Sequence, residues 1–403
     1  MVESRRGRGR GGRGGAAAAK VVEEEEDDYG EDIIRVDGGM LEGGGQLFRM
    51  SMALTYLLKK DCLITNIRGK RGNKGAGLGN QHLTGLKCLK QLIVGSKVKG
   101  DFVKSKDVHF KPGKNSIKRE QYEADCKTPG SVHLISQMTL PCLLFQEMPQ
   151  CKLTIKGGTL VNNSPPAHSY EHVFLPMIRK MGVGVEYEIK KHGLFPDIVG
   201  EVEVTIKKLE SQLKPIDLVE RGKLLGCTVH VTTTDKFHPI YTDLFKPQFA
   251  ALFRDKVSAT AELTIKDEDC PIKKQGSAKV LAITAILHFE QPTCLQANIL
   301  LDNCDDARGE TLAKELIEQL LLLTATPNVC TDEYFADQLL VFMALAEGTS
   351  RLTCKELSLH AETIIELLRQ FVPEIDIQVS QVGDGEGKYT MVTVKGLGLA
   401  PVA

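Results

Sequence analysis

Residues Asp37 to Ser51 read Asp-Gly-Gly-Met-Leu-Glu-Gly-Gly-Gly-Gln-Leu-Phe-Arg-Met-Ser. A short β-type run, Asp32-Ile33-Ile34-Arg35-Val36, precedes them. Leu47, Met50, Leu54, Leu57 and Leu58 follow at the three-and-four spacing of a helix. The stretch therefore reads as strand, glycine-rich turn and helix start. Gly43, Gly44 and Gly45 let backbone N–H groups approach a ligand, and a helix N-terminus favours anions. Glu42, Gln46 and Arg49 fall on one side of the turn and the first helical turn. They offer a carboxylate for a cation, and an amide and a guanidinium for phosphate. Glycine richness alone fits a plain βα turn better than a ligand site.

Outward from this turn, one arrangement recurs three times: helix, strand, helix, strand. The first copy has a helix near 46–58, a strand near 62–68, a helix near 81–94 and a β region around 101–111. The second has a helix near 130–145, a strand at 151–156, a helix near 169–181 and a strand at 183–189. The third has a helix near 332–347, a strand near 350–354, a helix near 360–371 and a strand at 374–380. Spacing, not identity between copies, carries this reading. Such units bury sheet faces under helices and give an α/β fold. Residues 190–300 break the rhythm, with strands near 200–207, 225–233, 258–266 and 277–289 and a helix near 240–255. They read as a smaller α+β domain inserted into a loop. The expected division is a tail at 1–30, the large domain at 31–189 and 301–403, and the insert at 190–300.

The length of 403 residues exceeds one ordinary domain, and 42% hydrophobic content supports a sizeable core. With 51 basic and 52 acidic residues, net charge says little about partners. Eleven cysteines without a Cys-x-x-Cys pair, and no opening secretory signal, point to a reducing compartment with free thiols. No apolar run approaches the ~18 residues of a membrane span. In the tail, residues 4–15 are Arg/Gly-rich and residues 23–28 are all acidic. Neither block buries apolar surface, so disorder is expected. The Arg/Gly block suits non-specific RNA binding as well as it suits a solubilising tail.

Further motifs follow in order. Ile67-Arg68-Gly69-Lys70-Arg71 opens a flexible basic loop, with Gln81-His82-Leu83 starting the next helix. Arg68 and Arg71 could clamp phosphate as bidentate forks, although a solvated basic loop is the better reading of these residues alone. Lys127-Thr-Pro-Gly-Ser131 opens a helix that Ser131 could cap, with Gln137 one to two turns in. Asn162-Asn-Ser-Pro165-Pro-Ala-His168 leads to His172, four residues on. Two histidines at that spacing suit a helical metal site, but the sequence places no third ligand beside them. Thr331-Asp332-Glu333-Tyr334-Phe335-Ala336-Asp337-Gln338 caps and starts a helix. Leu357-Ser358-Leu359-His360 opens the last one. A histidine there is usually structural, yet the positive helix end keeps the ring neutral and hence nucleophilic.

Glu42-Gly-Gly-Gly-Gln46-Leu-Phe-Arg49 and the motifs after it resemble, in order over nearly the whole chain, those of the RNA 3'-terminal phosphate cyclase family. The resemblance implies three repeated α/β units with an inserted α+β domain. It implies ATP and a divalent cation, Mg2+ or Mn2+, the latter near Glu42. It assigns Gln46, Arg49, Arg68, Arg71, Gln81 and Gln137 to nucleotide binding. Pro165 and Tyr334 would pack on adenine, Asp337 and Gln338 would lie at the nucleotide, and His360 would be the nucleophile. The chain departs from the family pattern at Pro129, at His168-Ser169 (an acid and an aromatic in the family), at Asp197-Ile-Val-Gly200 and at Asp302–Gly309.

The implied partner is RNA ending in a 3'-phosphate, not DNA, because cyclisation needs the 2'-OH. The implied location is nuclear, with the cytoplasm as a further compartment; oligomeric state is left open. A non-catalytic homologue that binds RNA in ribosome biogenesis is the rival, opposed by the retained Glu42, Arg49, Tyr334, Asp337 and His360. An enolpyruvate transferase of related repeated-unit fold is a second rival, and it would not need the Leu-His motif. Deleting residues 1–30 is expected to leave adenylylation intact and to weaken RNA binding at low salt, where phosphate contacts dominate. Filter binding across a salt series checks this, and loss of adenylylation in the truncated chain would place the tail in the active site.

Overall fold

Apolar residues alternate along Gln150–Gly157 and along Gly200–Lys207, so each strand buries one face. The two strands pair antiparallel, with Val202 opposite Ile155 and Val204 opposite Leu153. They are the middle of a four-stranded sheet edged by Gln121–Asp125 and Val185–Lys191. The structure is a computed structural model describing residues 32–113, 115–116, 119–234, 240–270, 280–291, 293–301 and 306–401. The tail at 1–30, residues 277–279 and residues 302–305 of the acidic segment lie outside the described residues.

Two other sheets share this plan. One runs Ile34–Asp37, Cys62–Thr65, Val108–Lys111, Lys97–Lys99 in spatial order. The other runs Asp217–Leu218, Thr349–Cys354, Tyr389–Lys395, Asp376–Val382. In all three the first pair is parallel and the next two are antiparallel. In the first two sheets a helix joins the parallel pair, because a parallel return needs a crossover. In the third sheet the first crossover is long. It contains a fourth sheet, ordered Glu262–Asp269, Leu224–Thr233, Leu281–Phe289, Cys294–Leu301, and the helix Asp306–Thr324.

Strand pairing corrects the expected 190–300 boundary. Gly200–Lys207 belongs to the second sheet, because its inward Val202, Val204 and Ile206 complete that core, and the fourth sheet starts only at Leu224. The strands at Cys294–Leu301 and Tyr389–Lys395 and the helix Asp306–Thr324 go beyond the sequence reading.

The first helix of each unit is almost wholly buried: Gly45–Leu58, Val132–Leu143 and Glu333–Leu345. The second helices, Asn80–Leu92, the helix over 167–180 with its π turn at Tyr170–Phe174, and Leu359–Phe371, cover the outer layer. Gly45–Leu58 packs against Val132–Leu143 and Leu359–Phe371, and Phe174 stacks on Phe335 at 5.7 Å. One hydrophobic core joins the three units, and a second lies under the fourth sheet. Among the described residues no helix is long and apolar enough to cross a membrane.

Caps fix where the helices begin. The Ser358 hydroxyl accepts from the Ala361 N–H at 3.1 Å, and the Asp332 carboxylate accepts from the N–H groups of Tyr334 and Phe335 at 2.9 and 3.0 Å. Removing an N-cap costs about 1 kcal/mol. Ser358→Ala is therefore expected to lower stability by about that amount in urea unfolding while the chain stays folded; an unchanged midpoint would deny the cap any weight.

Candidate active site

The glycine-rich turn is shaped by its backbone. Gly43 has φ +59°, a left-handed conformation suited to glycine, and the Lys70 side chain covers it. At Gly45 a β-carbon would stand 2.3 Å from His82 Nε2 and 2.8 Å from Arg49 Nη1, so only glycine fits. The turn places Glu42 with its side chain 7% exposed. Its Oε2 accepts from the Gly44 N–H at 2.7 Å and its Oε1 from Arg71 Nη2 at 2.9 Å. Thr363, one turn beyond His360, accepts from the Glu42 N–H at 3.2 Å, tying the turn to the last helix.

Arg49 is buried in the first central helix, and its Nε donates to Gln137 Oε1 of the second at 2.7 Å. Burial lowers its pKa to about 10, with Glu42 and Asp337 opposing, so it keeps its charge near neutrality. The Gln46 side chain lies beside the Asp337 carboxyl of the third central helix and favours its ionised form. Burial pushes Asp337 up to about 7, against that neighbour and the Arg49 charge. Asp337 Oδ1, Gln46 Oε1 and His82 Nε2 are buried without a partner. Unsatisfied buried polar atoms at one place are unusual and mark a ligand seat.

All twelve residues singled out from the sequence line one cavity of about 490 Å³. They are Glu42, Gln46, Arg49, Arg68, Arg71, Gln81, Gln137, Pro165, Tyr334, Asp337, Gln338 and His360. Some also hold the walls. Gln81 Oε1 accepts from the Ser131 N–H at 3.1 Å, Gln338 Nε2 donates to the Tyr334 carbonyl at 3.1 Å, and Arg68 Nη1 donates to the Gly77 carbonyl at 3.2 Å. Tyr334 stays 53% exposed at the rim, free to stack on a flat group. The His360 ring is open to the cavity, yet enough protein surrounds it that burial lowers its pKa; Arg49 and Arg71 add to this and Glu42 opposes it. A neutral imidazole thus faces two guanidinium groups, with that of Arg68 lining the same cavity.

The cavity contains residues the sequence reading did not assign. His82 is 3% exposed, its Nδ1 accepts from the Gly79 N–H at 3.2 Å, and burial first, then Arg49 and Arg68, keep it neutral. Gln296 and Asn298 come from the fourth sheet, joined by a 3.0 Å bond from Asn298 Nδ2 to Gln296 Oε1. Polar residues facing inward on a strand were the available signal.

Glu42 shares the cavity with the Asp337 carboxyl, which burial keeps largely protonated up to about pH 7; among the described residues the groups of three possible metal ligands lie elsewhere. One carboxylate suits Mg2+ or Mn2+ held chiefly by phosphate oxygens and water.

The fold and the cavity define an α/β protein with an arginine-lined cavity near helix starts. A family model described as RTC, RNA 3'-terminal phosphate cyclase, matches residues 40–378. A protein of Desulfurococcus amylolyticus named RNA 3'-terminal phosphate cyclase is 34% identical over 92% of this chain and 99% of its own. One of the same name from Staphylothermus marinus is 32% identical over 92% and 100%. A probable RNA 3'-terminal phosphate cyclase of Dictyostelium discoideum is 31% identical over 83% and 75%. An EPSP synthase structure from Acinetobacter baumannii is 15% identical over 91% of this chain and 66% of its own, and its TM-score of 0.28 carries no argument. The chain belongs to the RNA 3'-terminal phosphate cyclase family.

The raised Asp337 pKa sets a pH dependence. Between its ordinary 3.8 and about 7, the folded chain holds a proton that the unfolded chain has released. Stability from this group is thus complete at low pH and is lost as pH rises through that window. Asp337→Asn is expected to flatten the fall in urea-measured stability between about pH 4 and 7, by an amount on the order of a few kcal/mol. An unchanged slope would mean Asp337 is ionised throughout.

Proposed function

We propose that this chain is an ATP-dependent RNA 3'-terminal phosphate cyclase working through a covalent histidine–AMP intermediate. The observation that supports this best is the grouping of His360, Glu42 and three arginines around one cavity with an exposed tyrosine at its rim. ATP would enter with adenine against Tyr334 and Pro165 and its phosphates toward Arg49, Arg68 and Arg71. Glu42 would hold Mg2+ or Mn2+, which offsets phosphate charge when bound.

An imidazole nitrogen of His360 attacks the α-phosphorus; a P–N bond forms and pyrophosphate leaves. An oxygen of the RNA 3'-phosphate then attacks the same phosphorus, the P–N bond breaks and an RNA–AMP anhydride results. The vicinal 2'-OH attacks the terminal phosphorus and loses its proton. AMP departs, and a 2',3'-cyclic phosphate remains. Splitting the transfer replaces one hard displacement by easier ones. The lowered His360 pKa favours the first step, because the ring is unprotonated at neutral pH. The guanidinium groups oppose the charge that builds on the phosphoryl oxygens. A nuclear location belongs to the same proposal; the free thiols of the described cysteines accord with a reducing compartment.

Incubation with α-labelled ATP and Mg2+ is expected to give acid-labile, protein-bound AMP. His360→Ala should abolish the label, a loss of several orders of magnitude, and still bind ATP. His82→Ala should still label, since its Nε2 faces the Gly45 backbone. Label that survives His360→Ala but not His82→Ala would overturn the choice of nucleophile, and an unmutated chain that never labels would overturn the reaction.

A further inference from the structure

The sequence leaves His168 and His172 without a third ligand; the fold supplies one. His192, just past the strand Val185–Lys191, and Glu268, on the fourth sheet, converge on His168. His168 Nε2 lies 3.2 Å and His192 Nε2 3.3 Å from the same Glu268 oxygen, Oε2. The His168 and His192 rings are inclined at 62°, so their in-plane lone pairs can meet. In a tetrahedral site with bonds of about 2.0–2.2 Å, ligand atoms stand roughly 3.3–3.5 Å apart. Two of the three edges are close to that value and all three ligand atoms lie within 4.8 Å of one another, so an ion can enter with a modest adjustment of the two rings.

A second trio, His168, His172 and His230, lies beside the first. Its rings are stacked, His230 on His168 at 4.4 Å and 19°, and His230 on His172 at 4.7 Å and 22°. Near-parallel stacked rings hold their lone pairs in separate, near-parallel planes, so this trio cannot converge on one ion without turning. It walls the site instead. His230 Nδ1 is buried there without a partner, and Thr232 Oγ1 lies 3.4 Å from His168 Nε2. Behind His192, Nδ1 meets Thr159 Oγ1 at 3.0 Å. That hydroxyl can give its proton to the Gly193 carbonyl at 3.4 Å and accept from Nδ1–H, which leaves the Nε2 lone pair for a metal.

We propose that His168, His192 and Glu268 form a binding site for a zinc-class divalent transition ion, separate from the cation at Glu42. Two imidazoles and one carboxylate are a recurrent zinc donor set. The ion would join the helix that starts behind Pro165, a cavity residue, to the edge strand Glu262–Asp269 of the fourth sheet. It would thereby set the distance between Pro165 and the Gln296–Asn298 wall.

The test uses the untagged full chain, stripped with chelator and titrated with Co2+ alone. One equivalent should give the intense visible bands of four-coordinate Co2+, and Zn2+ should displace it. Glu268→Gln and His192→Ala should each remove the bands. Thr159→Ala should keep the stoichiometry and weaken binding roughly 10–100-fold, as loss of a supporting hydrogen bond does. Glu42→Gln and His172→Ala should retain the bands. X-ray absorption of the Zn2+ form should count two imidazoles and one carboxylate, which also serves if a variant fails to fold. No saturable binding at one equivalent, binding that survives both Glu268→Gln and His192→Ala, bands lost with Glu42→Gln, or a count of three imidazoles would each overturn the proposal.

Discussion

A guanidinium cannot be taken into a protein core unless its donors are met. Arg49 is buried in the first central helix and meets that demand at Gln137 of the second. Three residues before it, Gln46 reaches Asp337 of the third central helix. The three units thus meet at one polar point inside an apolar core, the first bonded to the second and charge-coupled to the third. Hydrophobic packing alone would tolerate one helix sliding along another; these contacts fix how far along its axis each helix stands.

That register puts equivalent parts of the three units around one space. Gln46 and Arg49, Gln137, and Asp337 with Gln338 come from the first two turns of the three central helices. Gln81, Pro165 and His360 stand at or just before the starts of the three outer helices. Helix starts carry partial positive charge and free N–H groups. A repeated unit whose helices begin on the same side of its sheet thus makes an anion site when three copies face inward. The fourth sheet closes the remaining side with Gln296 and Asn298.

The sequence made the centre of this arrangement legible because its signals are local. The Gly43–Gly45 turn, the helix start at Thr331–Asp332 and the three-and-four spacing of apolar residues each act within a few residues. What stayed hidden depends on partners distant in sequence. Asp217–Leu218 is too short for any periodicity, and only its pairing with Arg351 and Leu352 makes it a strand. Gly200–Lys207 alternates clearly, but alternation does not say which sheet a strand joins. Cys294–Leu301 turns Gln296 and Asn298 inward, against the apolar pattern that reveals a strand. His168 and His192 meet Glu268 from 100 and 76 positions away, a separation only tertiary folding closes.

The closing ion pair of the cavity bears on how a nucleotide could enter. Glu42 and Arg71 neutralise each other at 2.9 Å, with the arginine side chain 54% exposed. Only the arginine side of the pair is open to water; Glu42, 7% exposed, would be left buried and unpaired unless another cation took the place of Arg71. Each member matches one charge of a metal–nucleotide complex: the carboxylate suits the cation, and the guanidinium suits phosphate. Exchange of partners leaves neither charge unpaired, so the desolvation that would penalise opening a buried pair is avoided. Arg49, held by Gln137, stays fixed meanwhile. The cavity thus combines one rigid cation with one that can move, which allows a phosphate chain to be gripped at its deep end and released at its outer end.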